Sequence, residues 1–349
     1  MSRKKTVWRL GVALLVILAI AGQTALFAAG AGEERAYPSR AINYVIPFDA
    51  GGQSDITAQY QRAGLERAFG VDVVIRHQPG AGGALAWADL ARSRADGYTI
   101  AGNNIPHIII QPLVRENAGY ATEDLRPVYL FQTTPIGLAV AADSPHNTLA
   151  DLIEYARANP GRVTVSGSGT HSGHHLAILQ LEYLSDADFT YIPATGAAPS
   201  VTNFLGGHTE AILANSDDLV QHQQAMKILA IGTTERFHAL SDVPTFMEQG
   251  YDFTAGIDRG VTVAKDTPED VVRAIERAFD TVSRDPEFVA EMEALGFEMH
   301  QIGADEYAAY IERKQREIIT VLTELGELLE RKRLVCPQFS RQFSPYCIR

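Results

Sequence analysis

Short apolar runs alternate with segments of helical spacing through most of the chain. Positions 42–47 are largely apolar and read as a first strand, and 55–69 carry apolar residues at helical spacing up to Gly70. A second strand is expected at 71–75, a helix at 84–94, and, after the Asp96-Gly97 turn, a strand at 98–101. The pattern then repeats. A strand at 136–141 precedes a helix at 149–158 that Asn159-Pro160-Gly161 stops, and a strand at 163–165 leads through a glycine- and histidine-rich loop into a helix at 174–183. A further strand and helix follow Thr190, strands are expected at 228–232 and 260–264, and helices at 268–283, 287–294 and 305–331 close the chain. Strands alternating with helices predict an α/β fold rather than a sandwich or bundle. The last helix places Tyr307, Tyr310, Ile311, Ile318, Val321, Leu322 and Leu325 near helical spacing, the signature of a packing face.

The N-terminus departs from this pattern. Arg3, Lys4, Lys5 and Arg9 precede an apolar run at 10–21, and Ala29 and Ala31 form an Ala-x-Ala-like cleavage site before Gly32. Residues 1–31 therefore read as an export signal, the run being shorter than the ~20 apolar residues of a spanning helix. A retained anchor is the alternative. The full chain has 349 residues and a formal net charge of −12, and loss of the signal removes four basic and no acidic side chains. So acidic a protein is a poor partner for nucleic acid or an anionic membrane. Any anion it binds has to be held by local chemistry. The length suits two medium cores better than one. Cys336 and Cys347 are the only cysteines and cannot staple the body of the fold, although they can pair with each other in an oxidising compartment.

In an open α/β sheet ligands sit beyond the carboxyl ends of strands. The loop Phe48-Asp49-Ala50-Gly51-Gly52-Gln53-Ser54-Asp55 ends a strand and opens a helix. Its glycines let the backbone turn and let an anion reach the unpaired amides of a helix start, where the dipole contributes about 0.3–1 kcal/mol. A tight turn capped by Ser54 or Asp55 is the plainer reading. Ser168, Gly169, Thr170, His171 and His174 lie in a second loop of the same construction, and Thr195 and Gly196 lie in a third. If the first two loops face one another, they can clamp a carboxylate. Asn103, just after the strand ending at Ala101, and Asn215 complete the polar candidates. None of the three loops contains Lys or Arg, which leaves Arg259 as the nearest counter-charge, or else as a solvated or lobe-bridging arginine. His174 would carry charge below about pH 6.5.

Other chemistries fit poorly. His171, His174 and His175 suggest a metal, because residues three apart on a helix share a face, but no ligand beyond this cluster is apparent in sequence, and no His-Glu-x-x-His occurs. No Gly-x-Ser-x-Gly marks a hydrolase. Gly80-Ala81-Gly82-Gly83 is neither a Walker motif nor a dinucleotide fingerprint and is expected to shape a cleft rim.

Seven ordered matches carry a resemblance to the substrate-binding proteins of tripartite tricarboxylate transporters, the Bug family. They are Tyr37-Pro38-Ser39-Arg40, the run from Pro47 to Asp55, Pro79-Gly80-Ala81-Gly82-Gly83, Asp96-Gly97-Tyr98-Thr99, Gly167-Ser168-Gly169 leading to His174, Leu205-Gly206-Gly207-His208, and Asp242-Val243-Pro244-Thr245-Phe246. The resemblance implies a type II periplasmic-binding-protein fold: two lobes, each a central mixed sheet flanked by helices, with the ligand in the interlobe cleft. Lobe 1 is expected at 37–138 and 262–333, lobe 2 at 139–261, and 334–349 is an unassigned tail. It also implies no catalysis and no cofactor or metal. A periplasmic monomer is expected to hand a di- or tricarboxylate or related acid to integral membrane transporter subunits in a transient contact. In the family the first glycine loop and the loop before His174 contact ligand carboxyls through amides, hydroxyls and water. Relatives commonly carry an aromatic and a basic residue before the glycine of the third loop. Here Ala194 and Thr195 stand there.

Overall fold

The chain divides into two compact units, Met1–Ser39 and Arg40–Arg349. In the computed structural model residues 37–327 are described. The expected signal, the tail with Cys336 and Cys347, and the last residues expected of the terminal helix fall outside them.

The second unit begins with β1 (Ile42–Ile46), α1 (Gln53–Phe69), β2 (Val73–His77), α2 (Ala84–Ala91), β3 (Thr99–Ile105) and α3 (His107–Val114). β1 pairs in parallel with both β2 and β3. Gly70, at φ 71°, ends α1 by returning its N–H to the Glu66 carbonyl. β4 (Leu125–Ala141) follows, then α4 (Leu149–Ala158), β5 (Val163–Ser168), α5 (Gly173–Ser185), β6 (Phe189–Ala194), α6 (Ala197–Leu205), β7 (Ala211–Asn215), α7 (Ser216–His222) and β8 (Met226–Ile231). β9 (Gly256–Ala264) returns to the first half, and α8 (Glu269–Ser283), α9 (Pro286–Ala294), β10 (Glu298–Gly303) and α10 (Ala304–Glu324) complete it.

The strands run β2-β1-β3-β9-β4-β7-β5-β6, with β8 and β10 also on β4. β4 explains the two-lobed build. Its first part pairs antiparallel with β9 and β10, and its second part pairs antiparallel with β7 and β8. One 17-residue strand thus belongs to two sheets, each with its own apolar core. The arrangement is mixed: parallel βα units flank antiparallel crossing strands.

Several elements differ from the sequence expectation. α3 is buried at every position and contains Pro112, so it shows no amphipathic period to read. β3 runs on to Ile105, and β9 begins at Gly256, because both are buried crossing strands whose polar residues face partners rather than water. β10 was not expected. Its residues are half-buried or exposed, and tertiary pairing to β4 makes it a strand. α10 ends at Glu324 because Gly326, at φ 75°, turns the chain. It packs Tyr307, Ile318 and Leu322 into the first core, as a packing helix should.

Candidate functional site

The first glycine loop is organised from within. Gly51 lies at φ 80°, and its N–H donates to Asp55 Oδ2 at 2.8 Å. Asp55 also binds His77 Nε2 at 2.8 Å and Gln59 Nε2 at 3.0 Å. Burial pushes the Asp55 carboxyl up, but the Gly51 N–H, Gln59 and His77 outweigh it and hold it below the usual carboxylate range. Asp55 therefore shapes the loop instead of lining a cleft. Gly52, at φ −83°, precedes α1, and its carbonyl accepts from Asp55 N and Ile56 N. The N–H groups of Gln53 and Ser54 then lie at the helix start, where no intrahelical acceptor exists.

The second loop is organised around His174. Ser168 N–H donates to His174 Nδ1 at 3.2 Å, with Ser168 Oγ at 2.5 Å from the same atom. An accepting Nδ1 leaves the ring proton on Nε2, which has no partner although His174 is fully buried. Burial, reinforced by the Arg259 charge, pushes His174 down to about 3. This corrects the expectation of a charge gained near pH 6.5: the imidazole is neutral. His107 is held well below its usual value, first by burial and then by His174 and Arg259. Gly167 is required here, since a Cβ would sit 2.4 Å from the Tyr191 hydroxyl and 2.9 Å from His174 Cβ. Thr170 and His171 offer their carbonyls to Gln111 Nε2 at 3.2 and 3.0 Å, joining this loop to α3. His171 N–H donates to His175 Nδ1 at 3.2 Å, and no cluster suited to a metal ion exists among the described residues.

A narrow cleft lies between these loops. Of the expected residues, Phe48, Gly52, Gln53, Ser54, Ser168, Gly196, Asn215 and Arg259 line it. Gly51, Asp55, Gly169, Thr170, His171 and His174 stand behind it in the roles just described or in loop turns, Gly169 donating its N–H to the Ala194 carbonyl at 2.7 Å. Thr195 is exposed. Asn103 faces away, its Oδ1 accepting from the Tyr307 hydroxyl at 2.6 Å. Its neighbour Asn104 lines the cleft instead, because successive strand residues point to opposite faces. His107 also lines it and was missed, since nothing in the sequence marked α3.

Arg259 is 3 % exposed, which removes the solvated reading. It stands mid-strand in β9, opposite Asn104 and Gln132. Its Nη1 donates to Thr134 Oγ1 and to the Ile257 carbonyl, the latter at 3.2 Å, while Nε has no partner. Burial lowers its pKa, opposed by Asp217, Asp218 and Asp258, none of which reaches it as an ion pair. Asp217 and Asp218 open α7. Burial raises the carboxyl of each, and for Asp217 the Asp218 charge adds to this while Arg259 opposes it. Gln53 Nε2 donates to Asp217 Oδ1, tying α1 to α7 across the cleft. A larger opening takes Gly256 and Asp258 from the same strand whose Ile257 and Arg259 line the smaller one. The period of two puts it on the opposite face of the crossing strands. The unpartnered buried groups Gln53 Oε1, His107 Nδ1, Asn215 Oδ1 and Arg259 Nε belong to residues that line the smaller cleft.

Comparisons with known proteins bear on the family and the fold. Residues 57–326 match the family described as "Tripartite tricarboxylate transporter family receptor". Protein BugT of Bordetella pertussis is 27% identical over 322 residues, covering 91% of this chain and 98% of its own. The solved periplasmic binding protein BugD superposes with a TM-score of 0.79 at 26% identity, covering 84% of this chain and 99% of its own. An R. palustris protein solved with adipate shares the fold at 24% identity, with a TM-score of 0.79 over 83% of this chain and 98% of its own. The chain belongs to the tripartite tricarboxylate transporter receptor family, a family of carboxylate-binding receptors rather than enzymes.

Proposed function

We propose that this protein, exported to the periplasm by residues 1–31, captures a small di- or tricarboxylate or related acid as a monomer and delivers it to integral membrane subunits through a transient contact. Lobe 1 comprises 37–138 and 262–333, lobe 2 comprises 139–261, and the ligand lies between them. Its carboxylate takes the first-turn amides of α1 and the guanidinium of Arg259, while Ser54, Ser168 and the start of α6 at Gly196 close around it. The observation that carries this reading is Arg259, a buried cation without an ion-pair partner whose Nε is open beside two helix starts. A buried charge wants a counter-ion, and an arriving carboxylate supplies one. No helix among the described residues is long and apolar enough to cross a membrane, which is consistent with a receptor outside the bilayer.

A thermal-shift screen of mono-, di- and tricarboxylates tests the reading. A ligand at one hundred times its dissociation constant stabilises by about 2.7 kcal/mol, and at this chain length that raises Tm by roughly 4 °C. A shift given by a sugar or a cation and by no organic acid would refute it.

A further inference from the structure

Two buried side-chain amides at the cleft are turned the same way by a pair of acids. Gln53 Nε2 donates to Asp217 Oδ1, and Asn215 Nδ2 donates to Asp218 Oδ2 at 3.4 Å. With the –NH₂ ends held by carboxyl oxygens, the carbonyl ends Gln53 Oε1 and Asn215 Oδ1 are left without partners, on residues 2 % and 1 % exposed. Asn215 lies beside His174, but Oδ1 and Nε2 fall short of a hydrogen bond; if that gap closed, a second lone pair on Oδ1 would remain. The open donor Arg259 Nε–H belongs to a residue that lines the same cleft. The lining therefore asks for a ligand that both accepts and donates. An ionised dicarboxylate only accepts. It satisfies the arginine and the helix amides but sets its oxygens against the two carbonyl oxygens.

Resting on the carboxylate-receptor reading above, we propose that the cleft selects hydroxy acids. The carboxylate binds Arg259, and an adjacent hydroxyl donates to Gln53 Oε1, with Asn215 Oδ1 as its second acceptor. Asp217 and Asp218 are positioning residues that fix the orientation of both amides. A site built to pair with a hydroxyl discriminates strongly against the analogue lacking it, because the buried acceptors are then stranded.

Isothermal titration of the full chain with succinate, each enantiomer of 2-hydroxysuccinate, and aspartate tests this, with glutarate and 2-hydroxyglutarate as a second pair. One enantiomer of a hydroxy acid is expected to bind at least about tenfold tighter than its deoxy partner. In Gln53→Met or Asn215→Leu that ratio is expected to fall below about threefold, since the acceptor is gone. Equal wild-type affinities within each pair, a ratio unchanged in both variants, or tighter binding of aspartate than of the hydroxy acid overturns the hydroxyl preference while leaving a carboxylate receptor standing. Failure of every acid to bind overturns the receptor reading and the preference together.

Discussion

Lowering the pH from about 7 to about 5 is expected to cost the wild type stability that His174→Gln retains. In the folded chain burial keeps His174 neutral down to about 3, whereas in the unfolded chain it protonates near its ordinary value of about 6.5. Below that value the unfolded state binds the extra proton, so stability falls with falling pH, and the loss is complete only below about pH 3. Between about pH 7 and about pH 5 the loss is about 1.36 kcal/mol for each unit below about 6.5, or about 2 kcal/mol. His107, depressed in the same direction, adds a loss of the same sign. Asp217 and Asp218 act oppositely: their raised folded pKa values favour the folded state at low pH and lose that stabilisation as pH rises. The variant isolates one residue from this sum, because glutamine does not titrate and its amide oxygen can accept the Ser168 N–H. Urea unfolding of both proteins at about pH 5, 6 and 7 is the assay, with a linear extrapolation at each pH. The wild type should lose about 2 kcal/mol more than the variant across that range, equivalent to about 3 °C in Tm. Parallel pH profiles would refute the claim that His174 is buried neutral.

Arg259→Met removes the cleft's cation at similar length and should weaken carboxylate binding roughly 10- to 150-fold, the range of a charged hydrogen bond worth about 1.5–3 kcal/mol; calorimetric affinities within about twofold of wild type would exclude the counter-charge role. Gly51→Ala should cost about 1–2 kcal/mol by forcing a side chain to φ 80° even though no atom lies within 4 Å of the new Cβ. Gly52→Ala, at φ −83° and 3.6 Å from the Asp49 carbonyl oxygen, should stay within about 0.5 kcal/mol of wild type. Equal losses by urea unfolding would show that the positive φ of Gly51 is not what sets the loop.

The sequence by itself determined the local grammar of the fold. Glycines at 70 and 161 and the strand-loop-helix order are short-range chemistry, and each is found where the pattern placed it. The glycine loops after β1 and β5, and with them Gly52, Ser54 and Ser168, were legible for the same reason: a turn into a helix writes its own signature. Tertiary structure decided the rest. Asn103 and Asn104 are chemically alike, and only the register of β3 against β9 turns the second toward the cleft and the first toward Tyr307. His107 sits on a helix without polar periodicity because both sides of it are buried. The meaning of Arg259 depends on crossing strands that take it out of water, and the orientation of Gln53 depends on Asp217, 164 residues away. Burial, register and long-range partners arise only when distant segments meet, so a linear pattern with a reach of a few residues cannot encode them visibly.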